Sequence, residues 1–222
     1  MRDLLAPFLP GEALAEAQFS ALSTYLELLL RWNARMNLTA VRDPETIVTR
    51  HFGESLFAAR QLFPSASQPG TRDSRLIDIG SGAGFPGLPI KIYAPGLGLI
   101  LLESNYRKTI FLREVIRALA LPQAEVFPGR AQDYRPPPAP SLTFTLRAVE
   151  RFAQALPVAA RLLEPAETPG PGRPVERRLA LLIGAAQVPR AQELAPRLSW
   201  AAPIPVPLSS ARVLLIGSLH PL

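Results

Sequence analysis

Between Leu76 and Pro89 the chain reads LIDIGSGAGFPGLP. A short apolar run leads straight into three glycines at every second position, Gly80, Gly82 and Gly84, and a helix is expected to start near Pro86. No other stretch constrains the fold as strongly. Glycine reaches φ > 0 without steric cost and has no Cβ to hold off a ligand, so such a turn lets backbone approach a bound molecule. A strand that feeds a helix through this turn belongs in an open parallel sheet. Its ligand site then lies beyond the carboxyl ends of the strands.

The surrounding pattern agrees. Strands are expected at Arg75–Ile79, Gly98–Glu103, Ala124–Pro128, Leu142–Leu146, Leu179–Ile183 and Arg212–Ile216. Helical stretches alternate with them, notably an amphipathic segment from about Arg107 to Ala120 and another at Phe152–Leu163. This alternation predicts an α/β, Rossmann-like, doubly wound and mostly parallel sheet with helices on both faces. The first part of the chain has a different period. Leu14, Phe19, Leu22, Tyr25, Leu26, Leu29 and Trp32 recur at three- and four-residue steps, giving a helix over Gly11–Met36. Asp43 as N-cap and Pro44 in the first turn start a second helix that runs to about Leu62. The polar segment Pro64–Asp73 reads as a linker. The expected division is therefore an N-terminal helical extension, residues 1–65, and a sheet domain, residues 66–222. Pro136–Pro140 and Pro165–Pro174 read as stiff loops.

Composition removes several classes of chemistry. The chain has 222 residues and no cysteine, so disulfides, thiolate metal sites and cysteine nucleophiles are excluded. His51 and His220 are the two histidines, and no metal centre is expected from them. No run approaches the ~20 apolar residues of a membrane span. The N-terminus, with Asp3 and Glu12 around a short apolar patch, does not read as a secretory signal. A cytoplasmic protein without membrane contact is expected. The formal charge is +6 and almost all of the basic residues are arginine. Residues 1–75 balance at eight basic and eight acidic side chains, whereas residues 104–222 carry 15 against eight. An arginine excess in one part of a chain suits a phosphate-bearing partner, because guanidinium grips phosphate with paired hydrogen bonds. A genome rich in arginine, alanine and proline codons writes the same excess.

The glycine spacing narrows the ligand. A dinucleotide fingerprint, G-x-G-x-x-G, would want glycine where Phe85 stands. Here the order is G-x-G-x-G, and Asp78 precedes the first glycine by two residues. A carboxylate there repels a pyrophosphate but suits a cationic, phosphate-free cofactor such as S-adenosylmethionine. Glu103, at the end of the second strand, can accept hydrogen bonds from both hydroxyls of a ribose. A nucleotide-dependent dehydrogenase has in its favour the generic strand–glycine–helix order alone.

Three collinear blocks resemble the small-subunit (16S) rRNA guanine-N7 methyltransferases, the glucose-inhibited division protein B family. They are Arg31–Asp43 (RWNARMNLTAVRD) with Arg50-His51 following, Leu76–Gly87 continuing to Glu103-Ser104 and Arg107-Lys108, and Gly129–Tyr134 (GRAQDY) with Leu146–Val149 (LRAV). The W-N-x-x-x-N-L-T run and the G-F-P-G ending set this family apart from methyltransferases at large. The resemblance implies S-adenosyl-L-methionine as cofactor and 16S rRNA or the small ribosomal subunit as partner, with the chain expected as a monomer. It implies that Gly80 and Phe85 line the cofactor pocket, that Ala131 and Gln132 border the adenine, and that Arg147 sits at the methyl-transfer end. Asn37, Arg50 and His51 are expected over the pocket mouth, with Arg147, His51 and Asn37 as the catalytic set.

The sequence also departs from the family. Gln132 stands where an acid is usual. Lysines usual beside the fifth strand's end and in the last strand are absent, at Ile183-Gly184 and Gly217, with Arg212 as a potential substitute. Both losses would remove cations from the RNA-facing rim, and they motivate the alternative of a catalytically impaired protein that still binds cofactor and RNA. Methyl transfer to guanine N7 needs no proton removed, since that nitrogen keeps an in-plane lone pair in the neutral base. A chain with no convincing acid–base pair fits such a reaction, with catalysis by positioning and electrostatics.

Overall fold

One twisted sheet organises the chain, in a computed structural model that describes residues 1–64, 74–147, 152–164 and 176–219. Strands β1 (Ser74–Ile79), β2 (Gly98–Leu102), β3 (Ala124–Phe127), β4 (Ser141–Arg147) and β5 (Glu176–Gly184) pair in parallel in the order β3-β2-β1-β4-β5. Beyond β5 the sheet changes direction. β8 (Arg212–Leu219) runs antiparallel to β5, and the short β6 (Ser199–Trp200) and β7 (Ile204–Pro205) pair antiparallel with β8. The mostly parallel sheet expected from the sequence is present. The direction of β8 was not legible, since the period of a strand does not say which way it runs, and the two-residue β6 and β7 carry no period at all.

Strand alternation sorts the apolar side chains onto two faces. Leu76, Leu99, Leu101, Ala180, Leu182 and Leu214 face one side, and Ile77, Ile79, Ile100, Phe144, Leu181 and Leu215 the other. The second face is covered by α7 (Phe152–Leu163) and α8 (Val188–Leu194), the latter unread in the sequence. The first face is covered by α5 (Gly87–Tyr93) and α6 (Tyr106–Ala118), and by the whole N-terminal region in the same hydrophobic cluster. That region comprises α1 (Arg2–Leu5), α2 (Glu16–Met36), α3 (Pro44–Ile47) and α4 (Glu54–Leu62), and it shares a core with the sheet.

Local chemistry explains the helix bounds. α2 begins at Glu16 and not at Gly11, because Gly11 has φ +77° and the Gln18 side chain accepts from Ala15 N–H at 2.9 Å. The same Gln18 amide donates to the carbonyls of Ile92 and Tyr93, docking α2 on the end of α5. Asp43 does cap α3, accepting from Thr46 N–H at 2.8 Å with Pro44 in the first turn. The second helix is not continuous, however. A π-helical turn, Val48–Gly53, separates α3 from α4, and it carries Arg50 and His51. Gly53 lies under the Phe8 ring, which a Cβ would approach to 2.4 Å, so the N-terminal segment seats directly on this turn. Most of the expected linker and the loop at 165–174 lie outside the described residues, as does His220. No helix among the described residues is long and apolar enough to cross a membrane.

Candidate active site

The glycine turn lies at the carboxyl edge of the sheet, between β1 and α5. Gly80, Gly82 and Gly84 all have positive φ, at 69°, 58° and 94°. Gly80 N–H and Ser81 N–H both donate to Leu102 O, which fastens the turn to the end of β2. The three glycines do different things. A Cβ on Gly82 would meet nothing nearer than Gly80 O at 3.8 Å, so it would collide with no protein atom. A Cβ on Gly84 would come within 2.4 Å of Leu88 Cδ1 and 2.6 Å of Tyr25 Oη. Gly84 is thus a packing glycine, over which Tyr25 of α2 reaches to donate its hydroxyl proton to Ala83 O. Gly82 presents bare backbone outward, and Gly80 is exposed beside it.

Glu103, just past β2, ties two segments together. One oxygen accepts from Gly82 N–H at 2.8 Å and the other from Asn105 N–H at 2.7 Å. Each carboxylate oxygen retains a lone pair for a ligand hydroxyl. Asp78 sits lower. It is fully buried under the turn, with Oδ1 accepting from Thr145 Oγ1 at 2.8 Å and Oδ2 from Gly87 N–H at 3.3 Å. Burial pushes its pKa up to about 6, against the pull of those hydrogen bonds. Its oxygens brace the turn and the start of α5 from beneath. Ala131 and Gln132 form a 3-10 turn after β3, with Ala131 half-buried and Gln132 exposed.

Arg147 ends β4 on the same face as Asp78 and Thr145. Its Nη2 donates to Arg50 O at 2.6 Å, to His51 Nδ1 at 2.9 Å and to Glu54 Oε2 at 3.3 Å. Glu54 in turn pairs through Oε1 with Arg212 Nη2 at 2.7 Å. The Glu54 side chain is 3% exposed and that of Arg147 9%, so this carboxylate between two guanidinium groups is almost dry. Burial raises the pKa of Glu54, although Arg147, Arg212 and Arg50 oppose the rise. Burial also lowers that of Arg147, with Glu54 pulling the other way.

His51 is locked. Since Nδ1 accepts from Arg147, the ring proton resides on Nε2 and is donated to Thr39 Oγ1 at 2.8 Å. Burial first, then the charges of Arg147, Arg50 and Arg212, push its pKa down to about 3. The neutral ring rests against Phe85, centroids 5.0 Å apart. Phe85 itself stacks on Tyr25 at 5.2 Å and lies 5.9 Å from the Arg147 guanidinium. Phe85 is buried in this aromatic layer, and the turn, α2, the π-helical turn and β4 converge on it.

The sequence-expected residues thus fall into groups. His51, Phe85 and Arg147 are in mutual contact, and Glu103 and Gly82 are hydrogen-bonded. Asn37 stands apart. It is exposed, adopts φ +37° as the C-cap of α2, and accepts from Arg42 Nη2 at 2.9 Å. From the same block, Asn33 and Thr39 are the residues that reach inward. Asn33 Oδ1 accepts from Thr39 N–H at 2.9 Å, which presents Thr39 to His51. Glu54 and Tyr25 were missed in the sequence, although Glu54 follows Arg50-His51 within one helical turn. The two lysine-loss positions also differ. Gly184 pairs with Arg212 at the carboxyl edge, so Arg212 stands on the site's rim. Gly217 pairs with Leu179, away from that edge, and a Cβ there would meet the Trp200 ring at 2.8 Å. Its glycine belongs to packing and not to the rim. Among the described residues no cluster of three or more His, Asp or Glu side chains is placed to hold a metal ion.

A family model described as rRNA small subunit methyltransferase G matches residues 18–168. A protein named ribosomal RNA small subunit methyltransferase G from Xanthomonas oryzae pv. oryzae is 41% identical over 157 residues, covering 71% of this chain and 69% of its own length. One of the same name from Stenotrophomonas maltophilia is 42% identical over 141 residues, 64% of this chain and 62% of its length. The chain thus aligns with about two thirds of the length of these relatives. Among solved structures, a mutant of MtNAS in complex with S-adenosylmethionine has TM-score 0.54 at 15% identity, over 91% of this chain and 76% of that one. A ribosomal-protein methylase from Lactobacillus delbrueckii subsp. bulgaricus has TM-score 0.54 at 10% identity, over 78% and 80%. These two likenesses establish the fold. Bare backbone at Gly82, a carboxylate with spare lone pairs beside it and no phosphate-binding spacing fit S-adenosylmethionine. With this site and these relatives, the chain belongs to the rRNA small subunit methyltransferase G family, S-adenosylmethionine-dependent methyltransferases of the Rossmann-like fold.

Proposed function

We propose that the chain methylates N7 of a guanine in small-subunit (16S) rRNA, acting in the cytoplasm on the RNA or the small ribosomal subunit. One observation carries this reading: an open glycine turn held to Glu103 shares a sheet edge with a buried arginine gripped by His51 and Glu54. The relatives' names support rRNA as the substrate.

The cofactor, when bound, supplies an electrophilic methyl group on sulfonium. Gly80 and Gly82 would admit it against backbone, and Glu103 would accept from its ribose hydroxyls. Guanine N7 attacks with its own lone pair, so the residues need to position and polarise, not to remove a proton. His51 agrees with that demand, since a neutral ring with both nitrogens engaged is no base. Arg147 keeps Nε and Nη1 without a hydrogen-bond partner among the described residues, while Nη2 is fixed by three acceptors. Those free donors can hold guanine O6 or a flanking phosphate. His51 and Glu54 act through Arg147 as positioning residues. The network carries Arg50, Arg147 and Arg212 against Glu54, a net cationic edge suited to RNA.

Purified protein incubated with labelled cofactor and small subunits from a strain lacking the gene should place one 7-methylguanine in 16S rRNA, read by mass spectrometry. Arg147→Ala should lower the single-turnover rate by ~10²-fold, as for loss of a positioned electrostatic partner. Absence of any methyl transfer by the wild-type protein would leave the binding-only alternative.

A further inference from the structure

The outward face of α6 has no role in the site described above. Tyr106, Ile110, Arg113 and Arg117 follow one another at three- or four-residue steps, so they share one stripe, and all four are exposed. Tyr106 is 71% exposed and Ile110 39%, among the few large apolar side chains left bare. Arg107, also exposed, flanks the ring. None of Arg107, Arg113 and Arg117 forms an ion pair among the described residues. The opposite face, Thr109, Phe111, Leu112 and Val115, is buried, which fixes the stripe toward solvent.

The start of the helix is tied to the site. Asn105 caps α6, its Oδ1 accepting from Arg107 N–H at 3.0 Å and Lys108 N–H at 3.2 Å. Asn105 N–H donates to Glu103, whose other oxygen holds Gly82. Tyr106 therefore stands on the rim of the glycine turn, and the arginines lead away from it along ~17 Å of helix.

A bare aromatic ring followed by unpaired guanidinium groups is the chemistry that binds single-stranded nucleic acid. The ring offers a face to a base, and the arginines meet phosphates. α6 carries four basic residues against Glu114 alone, so a polyanion complements it better than a protein surface does. We propose that the outward stripe of α6 is a docking surface for single-stranded rRNA flanking the modified guanine, with Tyr106 stacking a base and Arg107, Arg113 and Arg117 holding phosphates. This inference rests on RNA being the substrate.

The test uses the full-length protein and a short fluorescein-labelled single-stranded RNA of 16S sequence, followed by anisotropy across a salt series. Tyr106→Ala should weaken binding about tenfold and Tyr106→Trp should restore it, because stacking needs a π-face and no hydroxyl. Arg113→Ala combined with Arg117→Ala should reduce the slope of log K against log salt by about 1.4. S-adenosylhomocysteine binding, by calorimetry, should be unchanged in all three variants. With small subunits as substrate, KM should rise and kcat should stay within about twofold. RNA affinity and salt slope unchanged from wild type would overturn the inference. So would a rise in KM for particles without loss of RNA affinity, which would mean a ribosomal protein covers the face. A loss of S-adenosylhomocysteine binding in Tyr106→Ala would assign the ring to the cofactor instead. If the wild-type protein binds the RNA through this stripe yet transfers no methyl group, the enzymatic reading fails and the docking surface stands.

Discussion

Two glycines two residues apart provide the sharpest test at the scale of single residues. Gly82→Val adds a side chain whose Cβ would meet nothing nearer than Gly80 O at 3.8 Å, at the cost of a strained φ. The variant should fold by circular dichroism and lose S-adenosylhomocysteine binding by calorimetry. Gly84→Ala should do the reverse in kind, because its Cβ collides with Leu88 and the Tyr25 hydroxyl. Its melting temperature should fall by several degrees, since overpacking a core costs about 1–3 kcal/mol. His51 supplies a second test. Its pKa of about 3 predicts that its imidazole resonances, assigned with a His51→Gln variant, stay at their neutral positions through pH 6.5. A midpoint near the ordinary histidine value would mean that the ring is not buried beside Arg147 in solution.

At the scale of elements, the edge of the sheet decides what two glycines mean. β8 runs antiparallel, so its first residue, Arg212, meets the carboxyl end of β5, while Gly217 lies under Trp200 toward the other end. Gly184→Lys has room, with no atom nearer than 3.5 Å to its Cβ. It should keep the melting temperature and tighten RNA binding, with a steeper salt dependence. Gly217→Lys should destabilise the protein and leave RNA affinity alone. If both variants behaved alike by thermal melting, the packing of β6 on β8 would be wrong. The π-helical turn belongs to this scale too. It places Arg50 O and the His51 ring within reach of Arg147, and Glu54 begins the next helix beside them.

In the molecule as a whole, the N-terminal helices, the glycine turn and one face of the sheet form one hydrophobic cluster, and Asp78 is fully buried beneath the turn. Its folded pKa of about 6 lies above the unfolded carboxylate value, so the folded state binds the proton more tightly. The stabilisation this gives is full below pH ~4 and lost as pH rises through ~6. Asp78→Asn keeps an acceptor for Gly87 N–H and does not ionise. Relative to wild type it should be more stable at pH 8, by about 3 kcal/mol at most, and the gap should close by pH 4. Thermal melts across that range check it, and a gap independent of pH would place the carboxylate in contact with solvent.

The sequence alone determined the fold class, the glycine turn and the acid that ends the second strand, Glu103. Each of these is written in local order: a period of two or 3.6, a glycine where φ must be positive, an acid at a strand's end. The W-N-x-x-x-N-L-T block was legible as a motif but not in its parts. Asn37 was expected as the functional member, whereas in the structure Thr39 reaches His51 and Asn33 holds Thr39 in place. Tertiary structure alone decided that Glu54 joins Arg147 to Arg212, that Tyr25 clasps the glycine turn, and that Gly217 is a packing glycine. Those facts join residues far apart in the chain, and they depend on which way an edge strand runs. No local periodicity carries that information, because strand direction is set by what packs across the sheet and not by the residues of the strand itself.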